Sequence, residues 1–184
     1  METRVERDSM GELNVPSDAL YGAQTQRAVG NFPLSGRGMP ESFIRALLTA
    51  KAAAATANVK LEQIPKDVGI AICKAAEQML SCDDFMSHFP VDVFQTGSGT
   101  SSNMNVNEVL GTVASSILGQ AVNPNDHVNC GQSSNDIIPS TIHISAALGL
   151  QQQLLPALNH LSQVIKTKAE SVDTYVKTGR THLM

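Results

Sequence analysis

The sequence predicts an all-α protein, and three observations carry that prediction. Ala and Leu recur at helical spacing while aromatic residues make up only 4% of the chain, with no Trp, so the core is built from helices packed through small and aliphatic side chains. "ESFIRALLTAKAAAATANVKLE", residues 41–62, runs without a strong breaker. Leu154, Leu158, Leu161, Ile165, Val172 and Tyr175 follow one another in steps that mark a single helix face.

The elements follow from local signals. Residues 1–16 are mixed and polar and show no regular repeat. Ser17 or Asp18 is placed to cap a short helix from Tyr21 to Val29. "GNFPLSGRGMP" is an extended loop, because its Gly and Pro residues deny it a repeat. The helix over 41–62 comes next, and Pro65 suits the first turn of another, Lys66 to Leu80. A helix from about Asn103 to Leu118 is stopped by Gly119, and a long one runs from about Pro139 to Val176. A helix of nearly forty residues would span about 55 Å, more than a domain of this size is wide, so its apolar stripe calls for partner helices. The expected division is 1–137, a helical domain carrying binding loops, and 138–184, the start of a long-helix bundle.

Composition narrows the partners. At 42% apolar and 16% charged, the 184 residues have the balance of a soluble globular protein. A net charge of -4 without a basic stripe argues against nucleic acid. No apolar run approaches the roughly 18 residues of a membrane span, and "METRVERDSMGE" lacks the apolar stretch of a signal peptide. Cys73, Cys82 and Cys130 are odd in number and fit no zinc spacing, so reduced thiols in the cytoplasm are expected. The acidic Glu2, Glu6 and Asp8 speak against a mitochondrial transit peptide, while a processed matrix form stays open.

Two polar loops introduce helices. In "QTGSGTSSNMNVNE", Gly97 and Gly99 permit a tight turn, and Ser98, Thr100, Ser101 and Ser102 stand before a helix whose first amides are unpaired, an arrangement suited to an anion. A capped helix start with a flexible lead-in is the alternative. The possible strand "VDVF" followed by Gly97, Gly99 and Ser102 nearly matches a dinucleotide fingerprint, but the third glycine and the alternating strands are missing, and the Gly-Lys-Ser/Thr ending of a phosphate loop is absent too. The second loop offers Asn123, Asn125, Asp126, His127, Asn129, Gln132, Ser133, Ser134, Asn135 and Asp136, and again a helix follows. Asn125-Asp126 taken singly is an ordinary turn and Ser134 an ordinary cap. His127 has no second His at ligand spacing, so no metal is expected. In "TGRTHLM", His182 is the best acid–base candidate, because imidazole exchanges protons near neutrality.

"GSGTSSNMNVNEV", "NPNDHVNCGQSSND" and "TGRTHLM" resemble, in order and spacing, the loops of the fumarase/aspartase superfamily, and "GELNVPSDALYGAQTQRAVGNFP" is similar to its N-terminal signature. The resemblance covers essentially the whole chain. Ser98, Ser134 and His182 resemble the class II, iron-independent fumarate hydratases, where aspartate ammonia-lyases tend toward Ala, Thr and Gln. "NPNDHVN" departs from this, because many hydratases carry His where Asn123 stands and the ammonia-lyases can carry this Asn.

The resemblance implies reversible hydration of fumarate to L-malate through an aci-carboxylate, with neither cofactor nor metal. It implies that Ser98, Gly99, Thr100, Ser133, Ser134, Asn135 and Thr181 hold the dicarboxylate and that His182 helps activate water. Asn123, Pro124, Asn125 and Asp126 would form a second dicarboxylate site. It also implies a homotetramer with active sites shared between subunits, and a serine-bearing catalytic loop later than residue 184. The chain is therefore expected to be an N-terminal portion and inactive in isolation. The alternatives are an ammonia-lyase or other fumarate-releasing lyase, a non-catalytic helical oligomerisation module and a nucleotide binder.

Overall fold

The computed structural model describes residues 2–8, 10–180 and 182. The chain divides into two compact units, Met1–Ser145 and Ala146–Met184. Helices dominate, as the composition predicts, with one addition at the N-terminus.

That addition is a hairpin. Strands β1 (Thr3–Asp8) and β2 (Gly11–Pro16) pair antiparallel, with Asp8 opposite Gly11 across the turn. Gly11 has φ 115°, a value that side chains rarely tolerate. The sequence hid the hairpin because "TRVERD" contains a single apolar residue, so no hydrophobic alternation marks it. Polar anchors hold it instead. The Arg4 guanidinium donates to the Pro16, Ala19 and Tyr21 carbonyls at 2.8, 2.7 and 2.7 Å. Arg27, from the following helix, grips Asp8 through two contacts of 2.7 and 2.9 Å and holds its carboxyl below the usual range.

Helix α1 (Ala23–Asn31) starts later than predicted, and neither Ser17 nor Asp18 caps it. Its cap comes from a distant carboxylate described below. Helices α2 (Glu41–Lys60) and α3 (Lys66–Ser81) lie where the breaker-free runs place them. They approach closely at Gly69, where an added Cβ would collide with the Val59 side chain. The possible strand at 91–94 amounts to an isolated bridge between Gly38 and Asp92.

Helix α4 (Thr100–Leu118) begins three residues before the predicted Asn103 and ends at Gly119, which has φ 74°. It is buried on nearly every side from Ser101 to Ala114, so it forms the centre of the first unit. Val106, Val109 and Leu110 pack in one core with Ile44, Leu47, Leu48, Ile72 and Phe85. Polar residues share this buried helix, and Asn103, Asn105, Asn107 and Glu108 are almost wholly inaccessible.

Helix α5 (Ser134–Gly149) starts ahead of the predicted Pro139, which lies inside it. A π-type turn at Leu150–Leu154 precedes α6 (Leu155–Val172), whose second residue is Pro156. A proline ring clashes with the carbonyl four residues back, and a widened turn just before it relieves that clash. In the second unit every described residue from 150 to 180 is exposed. Leu158, Leu161 and Ile165 of the predicted stripe are 50, 54 and 60% exposed. Among the described residues, no helix is long and apolar enough to cross a membrane.

Candidate functional site

The Gly97–Gly99 turn delivers the chain into α4 with two consecutive residues in the left-handed region, Ser98 at φ 62° and Gly99 at φ 65°. For a serine this conformation is uncommon and costs energy, which is why such residues cluster at functional sites. The surrounding side chains brace the turn. Gln95 Oε1 accepts from the Ser102 amide at 2.8 Å, Gln95 Nε2 donates to Ser102 Oγ at 2.9 Å, and Thr96 and Ser101 share a hydrogen bond of 2.9 Å. Thr100 Oγ1 donates to the Gly97 carbonyl at 3.2 Å. Ser98 is exposed, and its hydroxyl has no partner among the described residues.

The second polar loop meets the first. A Cβ on Gly99 would lie 3.0 Å from Ile138 of α5, so the turn into α4 sits against the opening turns of α5. Asn103 Nδ2 donates to Ser134 Oγ at 3.3 Å and to Asn129 Oδ1 at 3.1 Å. Ser133 Oγ accepts from the Asn135 amide at 3.3 Å, and Ser133 and Asn135 are exposed. Ser98, Gly99, Thr100, Ser133, Ser134 and Asn135 therefore surround two adjoining helix N-termini, where aligned peptide dipoles favour a carboxylate.

Beneath them lies a residue that sequence reasoning missed. Lys51 is fully buried, and its Nζ donates to Asn129 Oδ1 at 3.0 Å and to Gln132 Oε1 at 2.7 Å. Burial pushes its pKa down to about 7. Among the described residues it makes no ion pair. Asn107 Nδ2 also donates to Asn129 Oδ1, at 3.1 Å, so one carboxamide oxygen joins Lys51, Asn103 and Asn107. The signal was present in α2: Ile44, Leu47, Leu48, Lys51 and Ala55 share the buried stripe, so the spacing already set Lys51 on the inner face.

Glu108 solves the opposite problem. Its carboxylate accepts from the amides of Gly22, Gln24 and Thr25 at 2.9, 2.9 and 3.1 Å and from the Thr25 hydroxyl at 2.6 Å. It is the cap of α1, supplied from another helix. The lone charge of "QTGSGTSSNMNVNE" is thus structural, as are Asn105, which bonds the His88 carbonyl at 2.9 Å, and the bracing residues of the turn.

The Asn123–Asp126 segment is a turn closed by its own side chain. Asn123 Oδ1 accepts from the Asn125 and Asp126 amides at 2.8 and 3.0 Å, and the Asn123 amide donates to His127 Nδ1 at 3.0 Å. Asn123, Pro124 and Asn125 line a cleft of about 390 Å³ with Glu6, Arg7 and Gln24. His182 belongs to the second unit and is exposed, and Thr181 lies outside the described residues. No group of His, Cys, Asp and Glu suited to a metal ion occurs among the described residues.

This chain is 70% identical over 183 residues to fumarate hydratase class II 2 of Pseudomonas aeruginosa, an alignment covering 100% of this chain and 40% of that protein. It is 55% identical over 181 residues to fumarate hydratase class II of Xylella fastidiosa, covering 98% of this chain and 38% of that one. It superimposes on the crystal structure of recombinant class II fumarase from Schistosoma mansoni with a TM-score of 0.94 at 43% identity, over 99% of this chain and 40% of that one. A fumarate lyase:delta crystallin from Brucella melitensis gives 0.91 at 42% identity, over 99% and 44%. The chain spans about 40% of the length of these curated relatives. The family model described as Lyase matches residues 11–184, and the chain belongs to that lyase family.

Proposed function

We propose that the complete protein carrying this chain catalyses the reversible hydration of fumarate to L-malate. The observation that carries the reading is the meeting of two helix N-termini through Gly99 against Ile138 and Asn103 on Ser134. Ser98, Gly99, Thr100, Ser133, Ser134 and Asn135 bind the substrate carboxylates there, and the "TGRTHLM" segment contributes Thr181 as a further substrate-binding residue and His182 as the group that helps to activate water in the complete protein. Neutral hydroxyl, carboxamide and amide donors suit this chemistry. Removing the proton beside a carboxylate gives a dianionic aci-carboxylate, and donors fixed in advance stabilise that extra charge more than they stabilise malate. The names of the similar proteins, class II fumarate hydratases, support the same substrate class.

The reading extends to assembly. The exposed apolar stripe of the second unit is a helix face that requires partners, and we assign it to the core of a homotetramer whose active sites draw on several subunits. The protein acts in the cytoplasm, and the Asn123–Asp126 turn provides a second dicarboxylate site. The test offers the complete protein L-malate and, separately, L-aspartate, and follows the absorbance of the conjugated double bond. Turnover of malate alone supports the hydratase; turnover of aspartate alone sinks it in favour of an ammonia-lyase, and no turnover favours a non-catalytic module.

A further inference from the structure

We propose that Lys51 is a positioning residue for the dicarboxylate site, fixing the direction of each hydrogen bond from its own amine to the Ser134 hydroxyl. The inference rests on the dicarboxylate reading above. Its starting point is the chemistry of the donors. A lysine amine offers N–H groups, so the atoms that Asn129 and Gln132 turn toward it must be oxygens. With Asn129 Oδ1 held in that direction, the carboxamides of Asn103 and Asn107 must present nitrogen to it, because an oxygen there would face another oxygen.

The unusual state of those two asparagines follows. Asn103 and Asn107 are at most 1% exposed, and the Oδ1 of each has no hydrogen-bond partner among the described residues. A buried carboxamide left free to choose would turn to satisfy its oxygen. Both instead keep nitrogen toward Asn129, which is the orientation that the lysine imposes. Asn103 Nδ2 then also donates to Ser134 Oγ. A hydroxyl has one hydrogen, and with an incoming N–H on its oxygen that hydrogen is directed away from Asn103. Ser134 is thereby set as a donor at the N-terminus of α5, the polarity that a carboxylate needs. The order holds whether the amine is charged or neutral, since either form has hydrogens for both oxygens.

The test is a double-mutant cycle in the complete protein, with L-malate as substrate. Lys51→Met keeps the length of the side chain and removes its donors. It should raise the KM for malate about tenfold, the loss expected when one hydrogen bond to an anion weakens, with a smaller change in kcat. Ser134→Ala should have a similar effect, and Lys51→Met added to Ser134→Ala should cost no more than Ser134→Ala alone. Independent effects that multiply, or an unchanged KM in Lys51→Met, overturn the inference. If circular dichroism shows that Lys51→Met does not fold, Asn103→Ala breaks the chain of bonds while leaving both oxygens on Lys51. The same coupling to Ser134→Ala is then required, and its absence overturns the inference. A wild-type protein inert toward malate overturns the hydratase reading and this inference with it; malate turnover with uncoupled variants overturns only the role of Lys51.

Discussion

Helices of both units carry apolar residues three and four positions apart, yet the two units treat them in opposite ways. In the first, Leu47, Ile72 and Leu110 are fully buried, whereas Leu158 and Leu161 of α6 remain about half exposed at 50 and 54%. Spacing determines which face of a helix is apolar; it does not supply the surface that covers it. The first unit brings its own covering helices. The second leaves its apolar face exposed, and covering it is the role given to the proposed tetramer core.

The largest expected effect tests that contrast. Leu158→Asp combined with Leu161→Asp should disperse the native assembly of the complete protein, lowering its mass in analytical ultracentrifugation and abolishing malate turnover. An unchanged mass would mean that the stripe does not meet a partner. A smaller effect is expected from Glu108→Ala within the first unit, where α1 loses the acceptor for its opening amides. Leaving those buried donors unpaired should cost about 3 kcal/mol, read as a lower urea midpoint, with the hairpin and α1 exchanging amide hydrogens first. If the loss is only a few tenths, Glu108 is not the cap.

The smallest effect concerns a loop. Asp92 accepts from the Phe94 amide at 2.8 Å and from Ser35 and Gly36 amides at 2.8 Å, and these bonds lower its pKa to about 2. Its folded pKa is below the unfolded value, so the unfolded chain binds more protons between the two. The contribution is therefore complete above about pH 4 and fades as pH falls toward about 2. Asp92→Asn should flatten that part of the stability profile; an identical slope in the variant would assign it to other carboxyl groups.

Much of this was legible in the sequence, and the exceptions share a cause. Uninterrupted runs and stop signals such as Gly119 place α2, α3 and α4 within a few residues, because their information is local. Glu108 caps a helix that begins more than eighty positions earlier, and Lys51 meets Asn129 and Gln132 across separations of 78 and 81. Such pairs exist only after folding. The loop "QTGSGTSSNMNVNE" illustrates both sides. Its polar character pointed to an anion, but Gln95, Asn105 and Glu108 prove to be braces and caps, leaving Ser98 exposed at the turn.

The most direct measurement is a crystal structure of the complete protein with a four-carbon dicarboxylate bound. Carboxylate oxygens should lie within about 3 Å of the Ser98 and Ser134 hydroxyls, at the N-termini of α4 and α5. A ligand bound elsewhere, with both hydroxyls facing water, would contradict it.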